Sequence, residues 1–180
     1  DEAFERFKTI GFPTRKVEHY KYTNLQEVFA PDLGLNLNRL DIPVNPYNVF
    51  RCEVPNLSTQ LYFMVNDVFY DKVLPKVELP DGVIVDSLRK ISERQPELVA
   101  KYYNTLLSSK DGGEEALNTM FAQDGLFIYV PKNVKVNTAI QVINIMRSDI
   151  DLMVNRRVLI VLEEGAKAQF LFCDHAADNR

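Results

Sequence analysis

Phe4, Phe7 and Ile10 recur at helical spacing near the start of the chain, and Gly11 and Pro13 follow at once. That pattern predicts a short amphipathic helix over Asp1–Ile10 with an abrupt end. Thr23 reads as an N-cap, with Gln26 as the return partner of a capping box, and opens a second helix over Thr23–Ala30. The connector Gly11–Leu25, GFPTRKVEHYKYTNL, is charged and aromatic. Large rings are normally ordered by packing, so this connector is expected to dock against the fold. Pro31–Pro46 sets Leu33, Leu35, Leu37 and Leu40 among Asn, Pro and Asp, as in a segment lying on a surface.

Strand-like runs follow at Val49–Cys52, Leu61–Val65 and Val68–Tyr70, with Asn66-Asp67 as a tight hairpin turn. Pro80-Asp81-Gly82 is a second turn, and Val83–Asp86 a short strand after it. Pro96 suits the first turn of a helix over Gln95–Leu107, with Leu98, Val99, Tyr102 and Leu106 on one side. Ser108–Gly113 breaks it. Glu114–Ala122 is a further helix with acids in its first turn and Leu117, Met120 and Phe121 as its apolar stripe.

From Gln123 onward the pattern changes. Leu126–Val130, Thr138–Met146, Arg156–Leu162 and Ala168–Cys173 read as strands with no helical crossover between them. Val158–Leu162 is apolar at every position, and such runs imply burial on both faces. Stacked rungs fit this better than a meander with one wet face, although periodicity alone also permits a sandwich. Glu163-Glu164-Gly165-Ala166 is a turn between two of the runs.

Composition adds boundaries. The chain has 180 residues, enough for one or two domains, and 46% hydrophobic content supplies a core. The formal charge of −4 and the scattered basic residues give no footprint for nucleic acid. The longest apolar run falls far below the roughly 20 residues that span a bilayer. Two cysteines, Cys52 and Cys173, make no disulfide framework, which points to a reducing compartment, the cytoplasm.

Gly11, Pro13, Lys16, Glu18, Tyr20, Lys21, Tyr22 and Thr23 resemble the N-terminal signature of SufD proteins in the SufB/SufD family of SUF iron–sulfur cluster assembly. The family usually has Trp where this chain has Tyr20. The resemblance continues through LYFMVNDVFYDKV, PDGVIVDSL, EALNTMFAQDGLFIYVPKNV and VLEEGAKAQF, with Asp67 where the family often has Gly. It implies an α+β fold: a helical and mixed region over 1–122, then the first rungs of a right-handed parallel β-helix over 123–180. It also implies that the chain is the N-terminal portion of a longer protein. The function implied is that of a non-enzymatic scaffold, partnered by a SufB-like paralogue and a SufC-like ATPase, with self-pairing as a further option. An iron–sulfur cluster is then carried by the full complex and not bound by this segment.

Motifs for independent chemistry are missing from the sequence. There is no phosphate-cradling Gly-x-x-x-x-Gly-Lys loop, no dinucleotide Gly-x-Gly-x-x-Gly, no His-Glu-x-x-His and no Gly-x-Ser-x-Gly elbow. Cys173 and His175 are two apart and would share one face of a strand, but two ligands leave a metal site incomplete. A buried thiol beside a surface imidazole is the simpler reading. Asp149 and Asp151 resemble the paired acids of a glycosidase, which would make the chain a β-helical carbohydrate-active enzyme, but they sit in a polar loop suited to turns. Glu163 and Glu164 read as a solvated turn, His19 as a surface or packing residue, and Tyr102-Tyr103 as core and rim. No catalytic, cofactor-binding or metal residue is assigned. A metal-independent interaction module is the remaining alternative.

Overall fold

The computed structural model of the chain describes residues 2–35, 45–49, 58–75, 78–107, 112–146 and 152–176. Helix α1 (Glu2–Ile10) ends as its sequence predicts: Gly11 takes φ +58°, and its N–H donates to the Phe7 carbonyl at 2.7 Å. Helix α2 (Leu25–Val28) is a single turn whose N-cap is Asn24, not Thr23. The expected capping box fails because the Thr23 N–H is committed to the Tyr20 carbonyl at 2.9 Å, behind the short 3-10 helix Glu18–Tyr20.

Strand β1 (Gly34–Leu35) follows, with Leu33 and Leu35 half-buried; Leu37 and Leu40 lie outside the described residues. Val49 closes helix α3 (Pro46–Val49) instead of opening a strand, and residues 50–52 of the expected strand lie outside the described residues. The hairpin is present: β2 (Thr59–Val65) meets β3 (Val68–Phe69) antiparallel through Met64↔Phe69 and Val65↔Val68, with Asn66 at φ +53°. Asn tolerates that left-handed conformation better than most residues. Strand β4 (Ile84–Ser87) follows the Pro80–Gly82 turn.

The helix expected over Gln95–Leu107 is shorter, and an additional helix outside the expected elements precedes it. Helix α4 (Leu88–Arg94) begins at Ser87, whose Oγ accepts from the Lys90 N–H at 3.1 Å. Helix α5 (Pro96–Tyr102) stops early because Asn104 turns to φ +59°, and this leaves Leu106 96% exposed. Leu106 is therefore no part of a buried face. Helix α6 (Gly113–Phe121) buries Gly113, Ala116 and Leu117, while Met120 and Phe121 are half-buried.

The late strands are β5 (Gly125–Val130), β6 (Ala139–Met146), the two-residue β7 (Leu152–Met153), β8 (Arg157–Leu162) and β9 (Phe170–Ala176). Strand β8 lies parallel on β5 from Gly125↔Arg157 to Val130↔Leu162, and β9 parallel on β6 from Ile140↔Phe170 to Met146↔Ala176. A parallel bridge, Lys135↔Lys167, joins the two intervening turns. The chain thus runs through β5, a turn and β6, then repeats the path one layer on. Strand β2 stacks parallel on the other side of β6, and β4 antiparallel on β5, so both sheets include strands from before residue 123.

Alternation of side chains makes three apolar layers. Between the sheets, Tyr62, Met64, Ile140 and Val142 meet Val85, Leu126, Ile128 and Val130. Outside one sheet, Phe127 and Val161 pack under Leu88, Ile91 and Val99 of α4 and α5. Outside the other, Phe63, Ile143 and Ile145 pack with Tyr47, Leu61 and Cys173. Strands β5 and β6 are covered on both faces, as continuous apolar runs predict. Strands β8 and β9 are not, and their burial is broken along both.

Candidate functional site

The signature segment is held against α6. Gly113 lets the backbone of Gly11 approach so closely that an added Cβ would sit 1.7 Å from the Gly11 carbonyl oxygen. Tyr20 donates its hydroxyl to the Glu114 carboxylate. Phe12 stacks flat on Phe29 at 4.6 Å and meets Phe7 edge-on at 5.1 Å. The ring at Tyr20 therefore orders the connector through its polar tip, while Lys16, Lys21 and Tyr22 remain at the surface, Tyr22 being 89% exposed. His19 is exposed as well.

Two buried polar residues tie the helices to the sheet at the start of β5 and β8. Asp124 accepts from Ser87 Oγ at 2.7 Å, from the Arg89 N–H at 3.1 Å and from the Phe69 N–H at 3.5 Å. Arg157 donates to Asn118, Thr119, Asn104 and the Leu107 carbonyl, and Tyr103 covers its guanidinium. Between them these contacts join β3, β4, α4, α6 and the segment after α5. Neither residue stands out in the sequence.

Glu163 corrects its sequence reading. It is no free turn residue: Oε1 accepts from Tyr102 at 2.7 Å and Tyr129 at 3.2 Å, with Lys101 Nζ at 3.7 Å. Tyr102 thus ties α5 to the turn after β8. The Tyr102 and Tyr129 hydroxyls hold the Glu163 carboxyl below the usual range, while desolvation and the bond to Glu163 push the Tyr129 phenol up. A carboxyl lowered in the folded state contributes stability above its unfolded value, about 4.3, and that contribution fades as pH falls through the lower folded value. Glu163→Gln should accordingly flatten the acid limb of the stability profile. Urea midpoints between pH 3 and 6, about the unfolded value, check this; an unchanged acid limb would contradict it. Glu164 behaves as expected, exposed and paired with Lys132.

Cys173 and His175 occupy one face of β9. The thiol is half-buried over the Phe63–Ile143 layer and receives a long bond from Gln141 Nε2 at 3.8 Å, while His175 is exposed. Among the described residues no three His, Cys, Asp or Glu side chains converge as metal ligands. Asp149 and Asp151 lie outside the described residues. No described helix is long and apolar enough to cross a membrane.

A further contact feature among the described residues is the open side of the two-sheet stack. Val158 and Leu162 of β8 and Phe172 of β9 alternate into the interior layer, yet each is 42% exposed. Strands β8 and β9 each pair with one neighbour among the described residues. A groove of about 430 Å3 runs along β8, walled by residues 102–107. Unpaired strand edges beside exposed aliphatic rows are templates for another strand.

A layered α+β unit with such an edge is suited to be built upon, and comparison with known proteins identifies the class. The family profile described as SufBD protein N-terminal region matches residues 1–142. The chain belongs to the SufB/SufD family. It is 27% identical to an iron–sulfur cluster assembly SufBD family protein of Synechocystis, over 94% of this chain and 38% of that protein. Two proteins of the same description from Arabidopsis thaliana are 28% and 27% identical. The first is matched over 80% of this chain and 30% of its own length; the second, a chloroplastic one, over 94% and 32%. The chain thus spans about a third of the curated relatives it matches.

Proposed function

We propose that this chain is the N-terminal part of a SufD-like, non-catalytic scaffold subunit in iron–sulfur cluster assembly. The family match over residues 1–142 carries this reading. In it, the β5–β6 and β8–β9 layers are the first coils of a right-handed parallel β-helix, and the nascent cluster is cargo of the whole complex. The parallel stacking of successive layers supports the β-helix, as does the apolar interior exposed at β8 and β9. The partners are a SufB-like paralogue and a SufC-like ATPase, in a reducing, cytoplasmic setting. The helical signature region, pinned by Tyr20 and Gly113, serves positioning and protein contact.

Two measurements on the full-length protein test the reading. Anaerobic purification should retain an ATPase subunit of the SUF type, and cells lacking the protein should lose the activity of cluster-dependent enzymes under iron limitation. Normal cluster assembly in those cells would overturn the role. An unaccompanied protein with intact assembly would leave only a plain interaction module.

A further inference from the structure

The segment after α5 lies beside β8 and is fastened there. Asn104, at φ +59°, turns the chain out of the helix, and Thr105 closes the turn by donating its N–H and Oγ1 to the Tyr102 carbonyl at 3.3 and 2.7 Å. The buried Arg157 at the head of β8 donates to Asn104 Oδ1 and to the Leu107 carbonyl, both at 3.2 Å, and Tyr103 covers its guanidinium. Leu106 is thus bracketed by two anchors, yet it is 96% exposed, and Leu107 is 49% exposed. A lone surface leucine needs no explanation. Two adjacent ones on a fastened backbone are different: ordering the segment costs conformational entropy, and their burial offsets little of it.

The groove of about 430 Å3 between this segment and β8 is lined by every residue from Arg157 to Leu162. Leu159 and Val161 lie on the side where Tyr102 and Tyr103 pack, and Val158 and Leu162 face the interior layer. One edge of β8 pairs with β5; the other has no neighbour among the described residues. A strand edge with open hydrogen-bonding groups therefore runs beside an apolar wall, the arrangement that receives an added strand. The path of the chain names that strand. Gly125 is matched by Arg157 and Ile140 by Phe170, so each layer repeats the last about 30 residues on, in parallel. A further step of that length reaches the free edge of β8. The curated relatives, of which this chain spans about a third, are long enough to supply it.

We infer that Tyr103–Leu107 is a clasp for the strand that follows β9 in the full-length protein: the strand pairs with the free edge of β8, and its outward side chains pack under Leu106 and Leu107. The inference rests on the reading of the layers as a continuing column and adds a contact from the helical region onto the next layer. In the full-length protein, a diazirine amino acid in place of Leu106 should cross-link on illumination to a peptide of the same chain about 30 residues beyond β8. The same replacement at Phe172, on the interior side, should also link to residues beyond β9. A Phe172 link without a Leu106 link would overturn the clasp and leave the column standing. So would a Leu106 link to a separate polypeptide or to another part of the chain. Absence of any link from either position to residues beyond β9 would remove column and clasp together. Leu106→Asp is a second test. A substitution at so exposed a position ordinarily changes little, but here amide exchange along β8 should quicken about tenfold. Exchange equal to that of the parent would overturn the clasp.

Discussion

Replacing Gly125 with alanine is expected to destabilise the protein by about 3 kcal/mol or more, at the upper end of what overpacking costs. A Cβ there would lie 1.7 Å from the Arg157 carbonyl oxygen and 2.8 Å from its nitrogen. Both obstacles are backbone, so no rotamer change relieves them. The first rung of the β5–β8 ladder, Gly125↔Arg157, would have to open. Opening it also moves Arg157 away from Asn118 and Thr119 and loosens α6. Gly11→Ala is the matched comparison. Gly11 has φ +58° but nothing within 4 Å of the added atom, so only the left-handed backbone penalty of about 1 kcal/mol applies. Urea midpoints of both variants decide the matter: a Gly125→Ala loss no greater than that of Gly11→Ala would rule out the tight β5–β8 approach.

The close approach at Gly125 is a contact between distant segments that the sequence does not announce. Elements set by local chemistry were legible: α1 with its glycine stop, the Asn66 hairpin, the Pro80–Gly82 turn and the four late strands all follow from periodicity and turn residues. Errors came where distant groups intervened. Helix α5 stops at Tyr102 because Asn104 turns left-handed and its side-chain oxygen accepts from Arg157, 53 residues away. Glu163 looked like a solvated acid because its partners, Tyr102 and Tyr129, lie 61 and 34 residues back. Asp124 draws its donors from 37, 35 and 55 residues away, and nothing in its neighbourhood announces them. One local signal was missed. Ser87 followed by Leu88 and Ile91 is a cap with the first two members of an apolar face, and it marks α4. Family membership, by contrast, was legible in the signature residues, of which Gly11 and Tyr20 seat the connector on α6.

Phe172→Ala in the full-length protein is expected to cost roughly 3–5 kcal/mol, the loss typical of a phenylalanine removed from a packed core. In the described residues Phe172 keeps 42% exposure, and truncating a side chain in that state should cost far less. The difference between these outcomes isolates what covers the open side of the stack. Phe172 pairs with Val142 in β6, whose side chain is buried in the interior layer, so the ring extends that layer by one step. Val158 and Leu162 extend it in the same way from Leu126 and Val130. Another coil laid parallel on β8 and β9 would finish the burial of all three together, and the edge N–H and C=O groups would gain partners in the same step. Val158→Asp should then be worse than Phe172→Ala, because a carboxylate would enter the dry layer without a counter-ion. Lys167→Asp, in the neighbouring turn and away from that layer, should stay within about 0.5 kcal/mol of the parent. Denaturation of the three variants reads this directly. If Phe172→Ala proves as mild as Lys167→Asp, the layer ends at β9, and neither a continuing column nor a β-helical scaffold can be built on it.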